Sequence, residues 1–192
     1  MNNFDPTLLS FLQENHISFD YYEHRPIFTV EEGEDMKHTI PGIHTKNLFL
    51  TDKRGQYYLV CIESSKRLPI NQFRKLIAKD MTFGTAEEMK EILGLTPGSV
   101  SLFGLVQAVS DRLQATEDDL KPTASLKPTA SLKPKLYIDR ELWEAEKVGR
   151  HPNRNDATIM IDHENLEKFL SIIKKPASLI EIQDSGVGLV EV

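Results

Sequence analysis

Asn47-Leu48-Phe49-Leu50-Thr51-Asp52, Lys53-Arg54-Gly55 and Gln56-Tyr57-Tyr58-Leu59-Val60-Cys61-Ile62-Glu63 follow one another without a break, and this run decides the architecture. Two apolar stretches flank a short basic turn that ends in glycine, the pattern of a β-hairpin. A hairpin imposes antiparallel pairing. Elsewhere along the chain helical and strand patterns alternate, so the expected fold is α/β (α+β), a mixed β-sheet with helices packed around it. At 192 residues the chain fits a single domain, residues 1–192, with room for a full hydrophobic core.

Working outward, Asp5-Pro6 supplies an N-cap and a first-turn proline for a helix carrying Leu8, Leu9, Phe11 and Leu12. Phe19 to Glu23 reads as a short strand, and Thr29-Val30-Glu31-Glu32 as a capping box opening a second helix. Pro69 opens a helix through Ala78. Thr85-Ala86-Glu87-Glu88 is a further capping box, whose helix ends at Gly94. Val100 to Val109 is apolar and fits either period. Leu136 to Ile138 and Ala157 to Ile161 read as strands, with Asp139 and Asp162 capping the helices that follow, and Ser178 to Ile182 as an edge strand. One segment breaks the alternation: Lys121-Pro122-Thr123-Ala124-Ser125-Leu126 recurs as Lys127-Pro128-Thr129-Ala130-Ser131-Leu132. Proline every six residues excludes a continuous helix, so residues 116–135 are expected to form a repetitive loop insertion.

Composition narrows the function. Hydrophobic residues at 40% and charged residues at 27% describe a soluble globular chain, and no run of eighteen apolar residues suggests a membrane span. The start lacks the basic flank and apolar core of a signal peptide, so the expected address is cytoplasmic. Cys61 stands alone and excludes an internal disulfide or a Cys-pair zinc site. The net charge of −6 argues against a general nucleic-acid coat. Charge is uneven, however: Met36 to Asp80 holds nine Lys/Arg against three carboxylates, and the remainder carries about −12. Two readings stay open for this basic stretch, an ordinary solvated surface and a local face for a short piece of nucleic acid.

Three polar segments can carry chemistry. Lys46 sits in Gly42-Ile43-His44-Thr45-Lys46-Asn47, at the mouth of a strand, with His44, Thr45 and Asn47 as further hydrogen-bonding side chains. Gly94-Leu95-Thr96-Pro97-Gly98-Ser99-Val100-Ser101 offers glycines that let a backbone approach a ligand, although by itself it is also a good turn. Gly149-Arg150-His151-Pro152-Asn153-Arg154-Asn155 is a polar loop leading into a strand. There is no Gly-x-Ser-x-Gly elbow, no Walker loop and no His-Glu-x-x-His, and the remaining histidines lack metal-ligand spacing.

In this order the three segments resemble the YbaK/ProX family, free-standing relatives of the editing domain of bacterial prolyl-tRNA synthetases, and within it the ProX (PrdX-type) branch. The resemblance runs from about Leu8 to Leu170 without the repeat. It implies a mixed sheet with surrounding helices, no metal or cofactor, and trans-editing hydrolysis of mischarged tRNA(Pro), most of all alanyl-tRNA(Pro). It also implies that Lys46 holds the phosphate or carbonyl region of the acceptor end. The backbone of Gly98, Ser99, Val100 and Ser101 would position the ester carbonyl and attacking water, and His151 would line the amino-acid pocket. On position alone, Ile27, Phe28 and Phe49 are expected as its apolar walls. The implied partners are the tRNA(Pro) acceptor end and prolyl-tRNA synthetase, with no membrane. The chain departs from the family at Leu102, where the Gly-x-x-x-Pro loop carries proline. An alternative is a non-catalytic tRNA- or aminoacyl-adenosine-binding protein of the same fold.

Overall fold

A computed structural model describes residues 4–27, 29, 32–33, 39–106 and 134–190. At its centre is the hairpin, β2 (Ile43–Thr51) and β3 (Tyr57–Glu63), paired antiparallel from Thr45 opposite Glu63 to Thr51 opposite Tyr57. The Asp52 carboxylate closes the turn. Its Oδ1 accepts from the N–H of Arg54 and Gln56 at 2.9 and 3.0 Å, and its Oδ2 accepts from the Tyr58 hydroxyl at 2.7 Å. Burial opposes ionisation of Asp52, but these donors outweigh it and hold the carboxyl below its ordinary range.

Strands join both sides of the hairpin. The order is β1 (Asp20–Glu23), β7 (Ala157–Asp162), β6 (Lys147–Arg150), β2, β3, β5 (Lys135–Asp139), β8 (Ala177–Gln183), β9 (Gly186–Val190). The two-residue β4 (Thr82–Phe83) pairs with the end of β2. Pairings β2–β6, β3–β5 and β5–β8 are parallel and the others antiparallel, so the sheet is mixed, as expected. Helices α1 (Pro6–Glu14), α2 (Ile70–Leu76), α3 (Ala86–Leu93), α4 (Arg140–Glu144) and α5 (His163–Ile172) pack around it.

Strand alternation sorts the apolar residues into two clusters. Phe49, Tyr57, Leu59, Cys61, Leu136 and Ile138 face the larger one, where Leu8 and Leu12 of α1, Ile92 and Leu93 of α3, and Leu166 and Phe169 of α5 cover them. Leu50, Tyr58, Val60, Ile62, Tyr137 and Ile180 face the other way and pack under Phe73 of α2. Because β3 has partners on both edges and cover on both faces, six of its seven residues are buried. The sequence-predicted caps at Asp5, Thr85, Asp139 and Asp162 each accept from first-turn N–H groups, with the full capping box at Thr85 and Glu88.

Several expectations need correction. Ser178 to Ile182 is not an edge strand: β8 lies between β5 and β9, and the short, glycine-containing β9 takes the edge. The start of the polar segment at Gly149 is strand, not loop, because Gly149 and Arg150 pair with Met160 and Ile159. The helix after Pro69 stops at Leu76. Lys135, assigned to the repetitive insertion, opens β5, whereas residues 107–133 lie outside the described residues. Most of the helix expected after Thr29 also lies outside them, although the Glu32 N–H donates to Thr29 Oγ1 at 3.3 Å. No helix among the described residues is long and apolar enough to cross a membrane.

One core residue runs against its neighbours. Arg150 is 1% exposed and lies against the Cys61 thiol, at best a weak acceptor, and none of its three guanidinium nitrogens meets an oxygen acceptor among the described residues. A buried cation whose only neighbouring acceptor is a thiol opposes folding, and replacing it by an apolar side chain of similar length removes that cost. Arg150→Met is expected to raise unfolding free energy by about 1–3 kcal/mol. Urea denaturation measures this, and a loss of stability would show that the guanidinium is well compensated.

Candidate active site

The site begins where one edge of β2 divides. On its other edge β2 is paired with β3 along seven residues. On the dividing edge it meets β6 only at Ile43 and His44, and β4 only at Leu50 and Thr51. Between those contacts lies the stretch that carries Thr45, Lys46 and Asn47, and the loop 98–101 comes up against it.

That loop is stiff for local reasons. The Ser99 N–H donates to the Thr96 carbonyl at 3.0 Å, with Pro97 and Gly98 at the two central positions and Gly98 at φ 88°. This is the chemistry of a type II turn, in which the third position favours glycine. The Ser99 hydroxyl donates to the Thr96 carbonyl at 2.8 Å and is thereby used inside the turn. Two bonds then tie the loop to the other segments: Asn47 Nδ2 donates to the Val100 carbonyl at 2.9 Å, and the buried Ser101 hydroxyl donates to the His151 carbonyl. The three segments singled out in the sequence therefore converge. Among the described residues, no oxygen accepts from the N–H of Gly98 or Val100.

Alternation along β2 separates the expected site residues into two groups. His44 and Lys46 share one face. Thr45, Asn47 and Phe49 share the other, which is the face of the larger core cluster. Thr45 is buried and its hydroxyl donates to the Gly149 carbonyl at 2.9 Å. Phe49 is 3% exposed and stacks on Tyr57 with ring centroids 5.4 Å apart, so it lies within the core. Lys46 Nζ donates to the Ser64 carbonyl at 2.9 Å. Ile27 is half-buried, with its N–H on the Asn155 carbonyl at 2.8 Å, and Phe28 lies outside the described residues. Leu102 is fully buried and packs in the larger core cluster.

On the Lys46 face, backbone carbonyls set the tautomers of three histidines, because a carbonyl oxygen can only accept. His44 donates from Nε2 to Ile40 at 3.0 Å, His24 from Nδ1 to Arg25 at 2.8 Å, and His151 from Nδ1 to Ala157 at 3.2 Å. Neutral His151 therefore keeps its bare lone pair at Nε2. The His24 ring stands edge-on to His151 with centroids 6.4 Å apart, and its Nε2 accepts from the Thr158 hydroxyl at 3.0 Å. Gly149 makes this crowding possible: a Cβ there would lie 3.0 Å from Met160 Sδ, 3.2 Å from Thr158 Cγ2 and 3.3 Å from His44 Nδ1. Among the described residues no three His, Cys, Asp or Glu are grouped so as to hold a metal ion. His24, Thr158 and Ser64 carry no local sequence signature. They join the site only because β1, β7 and β3 lie where the sheet order puts them.

Burial of the His151 ring disfavours its charged form. The bond to Ala157 opposes this, and nearby His24 and His44 add to it, so the ring titrates below the ordinary 6.5. The unfolded chain then binds more protons than the folded one between the lowered value and 6.5. The stabilising contribution is complete above 6.5 and is lost as pH falls through the folded value. An NMR titration of the His151 ring should give a midpoint below 6.5, and a midpoint at or above it would contradict the neutral base.

At 28% identity over 173 residues, covering 89% of this chain and 93% of the relative, the sequence is similar to the prolyl-tRNA editing protein ProX of Acetoanaerobium sticklandii. It is 30% identical over 174 residues to prolyl-tRNA synthetase associated domain-containing protein 1 of Xenopus laevis, covering 88% and 89% of the two chains. The fold is similar to that of a crystal structure described as a candidate trans-editing enzyme for prolyl-tRNA synthetase. There the TM-score is 0.58 and the identity 16%, over 99% of this chain and all of that one. The profile of the aminoacyl-tRNA editing domain matches residues 24–169, and the chain belongs to that family.

Proposed function

We propose that this chain is a trans-editing deacylase whose substrate is alanyl-tRNA(Pro). Family membership carries the coarser statement: this is an editing enzyme of the prolyl-tRNA system, a hydrolase of mischarged aminoacyl-tRNA. The single observation that supports placing the activity at this site is the pair of hydrogen bonds from Asn47 to Val100 and from Ser101 to His151. They hold the Gly98 loop against both the Lys46 strand and the His151 segment that follows β6.

The chemistry asked of such a site is modest. An aminoacyl ester is already activated, so placing a water and stabilising charge on the carbonyl oxygen suffice. Lys46 is the cation of the site and would meet the acceptor end. The N–H groups of Gly98 and Val100 are donors on a rigid turn, suited to charge that develops on the carbonyl oxygen. Neutral His151 offers Nε2 as acceptor to the attacking water or to the substrate's amino group. Asn47 and Ser101 act at one remove, as positioning residues for the loop. The proposed setting is cytoplasmic, with the tRNA(Pro) acceptor end as ligand and prolyl-tRNA synthetase as the enzyme whose errors are removed.

The test is a deacylation panel on tRNA(Pro) charged with Ala, Ser, Cys and Pro. Alanyl-tRNA(Pro) should be hydrolysed fastest and prolyl-tRNA(Pro) spared. Lys46→Ala should lower turnover roughly 10²-fold, the scale for one electrostatic contact to the reacting group. Binding without turnover of any ester by folded protein would favour the non-catalytic alternative. Because a chain of net charge −6 neutralises few phosphates, affinity should fall only shallowly with salt. A steep slope across a salt series would contradict that footprint.

A further inference from the structure

Beside Lys46 lies a groove of about 310 Å³ whose walls include Gly42, His44, Glu63, Ser64, Lys66 and Glu141. It adjoins the site directly, because the Ser64 carbonyl that receives Lys46 Nζ belongs to the groove wall. Its chemistry differs from that of the site. Lys66 Nζ is taken up by Asp139 at 2.8 Å and Glu141 at 2.7 Å. Glu63 Oε2 is capped by the N–H groups of Ser65 and Lys66 and by the Ser65 hydroxyl, and Oε1 by the Ser64 hydroxyl. Burial opposes ionisation of Glu63, but these donors prevail and keep it a carboxylate.

Charge decides what such a groove can take. Around it three carboxylates, Glu63, Asp139 and Glu141, stand against two lysines, Lys46 and Lys66. A phosphate seat needs the opposite balance. What the groove presents is acceptors: the half-exposed Glu141 carboxylate, engaged among the described residues only through Oε2, and the hydroxyl oxygens of Ser64 and Ser65. Acceptors select N–H and O–H donors, and carboxylates in particular accept from the exocyclic amine of cytosine. The volume is at the small end of ligand sites and suits a single nucleoside.

We propose that this groove is the subsite for the nucleotide preceding the terminal adenosine of tRNA, and that it selects a base bearing an exocyclic amine, cytosine, through Glu141. The inference rests on the deacylase reading for its placement, but its test does not depend on turnover.

The probe is the dinucleotide cytidylyl-adenosine against uridylyl-adenosine, in which the amine is replaced by a carbonyl, titrated into the isotope-labelled full chain. The cytidine form should shift the backbone amides of Ser64, Ser65 and Lys66 and bind roughly tenfold more tightly than the uridine form. Glu141→Ala should erase most of that difference while leaving hydrolysis of alanyl-adenosine, which lacks the preceding nucleotide, unchanged. Equal affinity for the two dinucleotides, or shifts that bypass Ser64 to Lys66, would overturn the subsite even if alanyl-tRNA(Pro) is hydrolysed. Cytidine-selective shifts there without hydrolysis of any ester would keep the subsite and overturn the deacylase reading.

Discussion

Everything in this molecule that bears on its site depends on the divided edge of β2. A central strand normally spends both rows of backbone groups on neighbouring strands. Here one row is spent on β3, while the other is shared between β6 at its start and β4 at its end. Across that gap the Asn47 side chain reaches the Val100 carbonyl of the Gly98 loop, and the Gly84 N–H takes the Phe49 carbonyl towards its far end. The Gly98 loop is thus tied to β2 through Asn47 and to the segment after β6 through Ser101 where the sheet parts.

The strand β6 shows how tightly these demands are interleaved. At its end three successive residues, the last just beyond the strand, carry three different tasks. Gly149 allows the neighbouring side chains to close in, Arg150 turns into the core beside Cys61, and His151 returns to the face of His24 and His44. Main-chain carbonyls orient all three imidazoles. A side chain held by backbone is less easily disturbed by distant substitution than one held by another flexible side chain, so the electrostatics of this face follow from the fold itself.

Much of this was legible from local chemistry. The hairpin announces itself in Asn47 to Glu63, and Asp5, Thr85, Asp139 and Asp162 cap helices by bonds that involve only their near neighbours. What escaped local reading is of two kinds. Short strands containing glycine show no period of two: β6 buries three consecutive residues and β9 none. Parallel neighbours are also unreadable, because β2 and β6 are brought together by sheet order rather than by any turn. The orientation of Asn47 and Phe49 was within reach, since both lie in step with Ile43 and Thr45 on the core-facing side. Reading Lys46, Asn47 and Phe49 as one group overlooked the period of two. His24, Thr158 and Ser64 could not be found in advance, as their partners are remote in the chain.

That remoteness also has a meaning in time. The Thr45 hydroxyl bonds a carbonyl 104 residues further on, and the ties of the Gly98 loop span 53 and 50 residues. Contacts of this range form slowly, because long stretches of chain must be closed before any of them stabilises the rest. On a ribosome, His151 follows Lys46 by roughly 5 to 20 s. During that interval β3 has its hairpin partner but not β5, leaving the most apolar strand of the protein with one row of backbone groups unpaired. The growing chain therefore passes through a stage that is both adhesive and inert, and competence arrives only with the last third of the sequence.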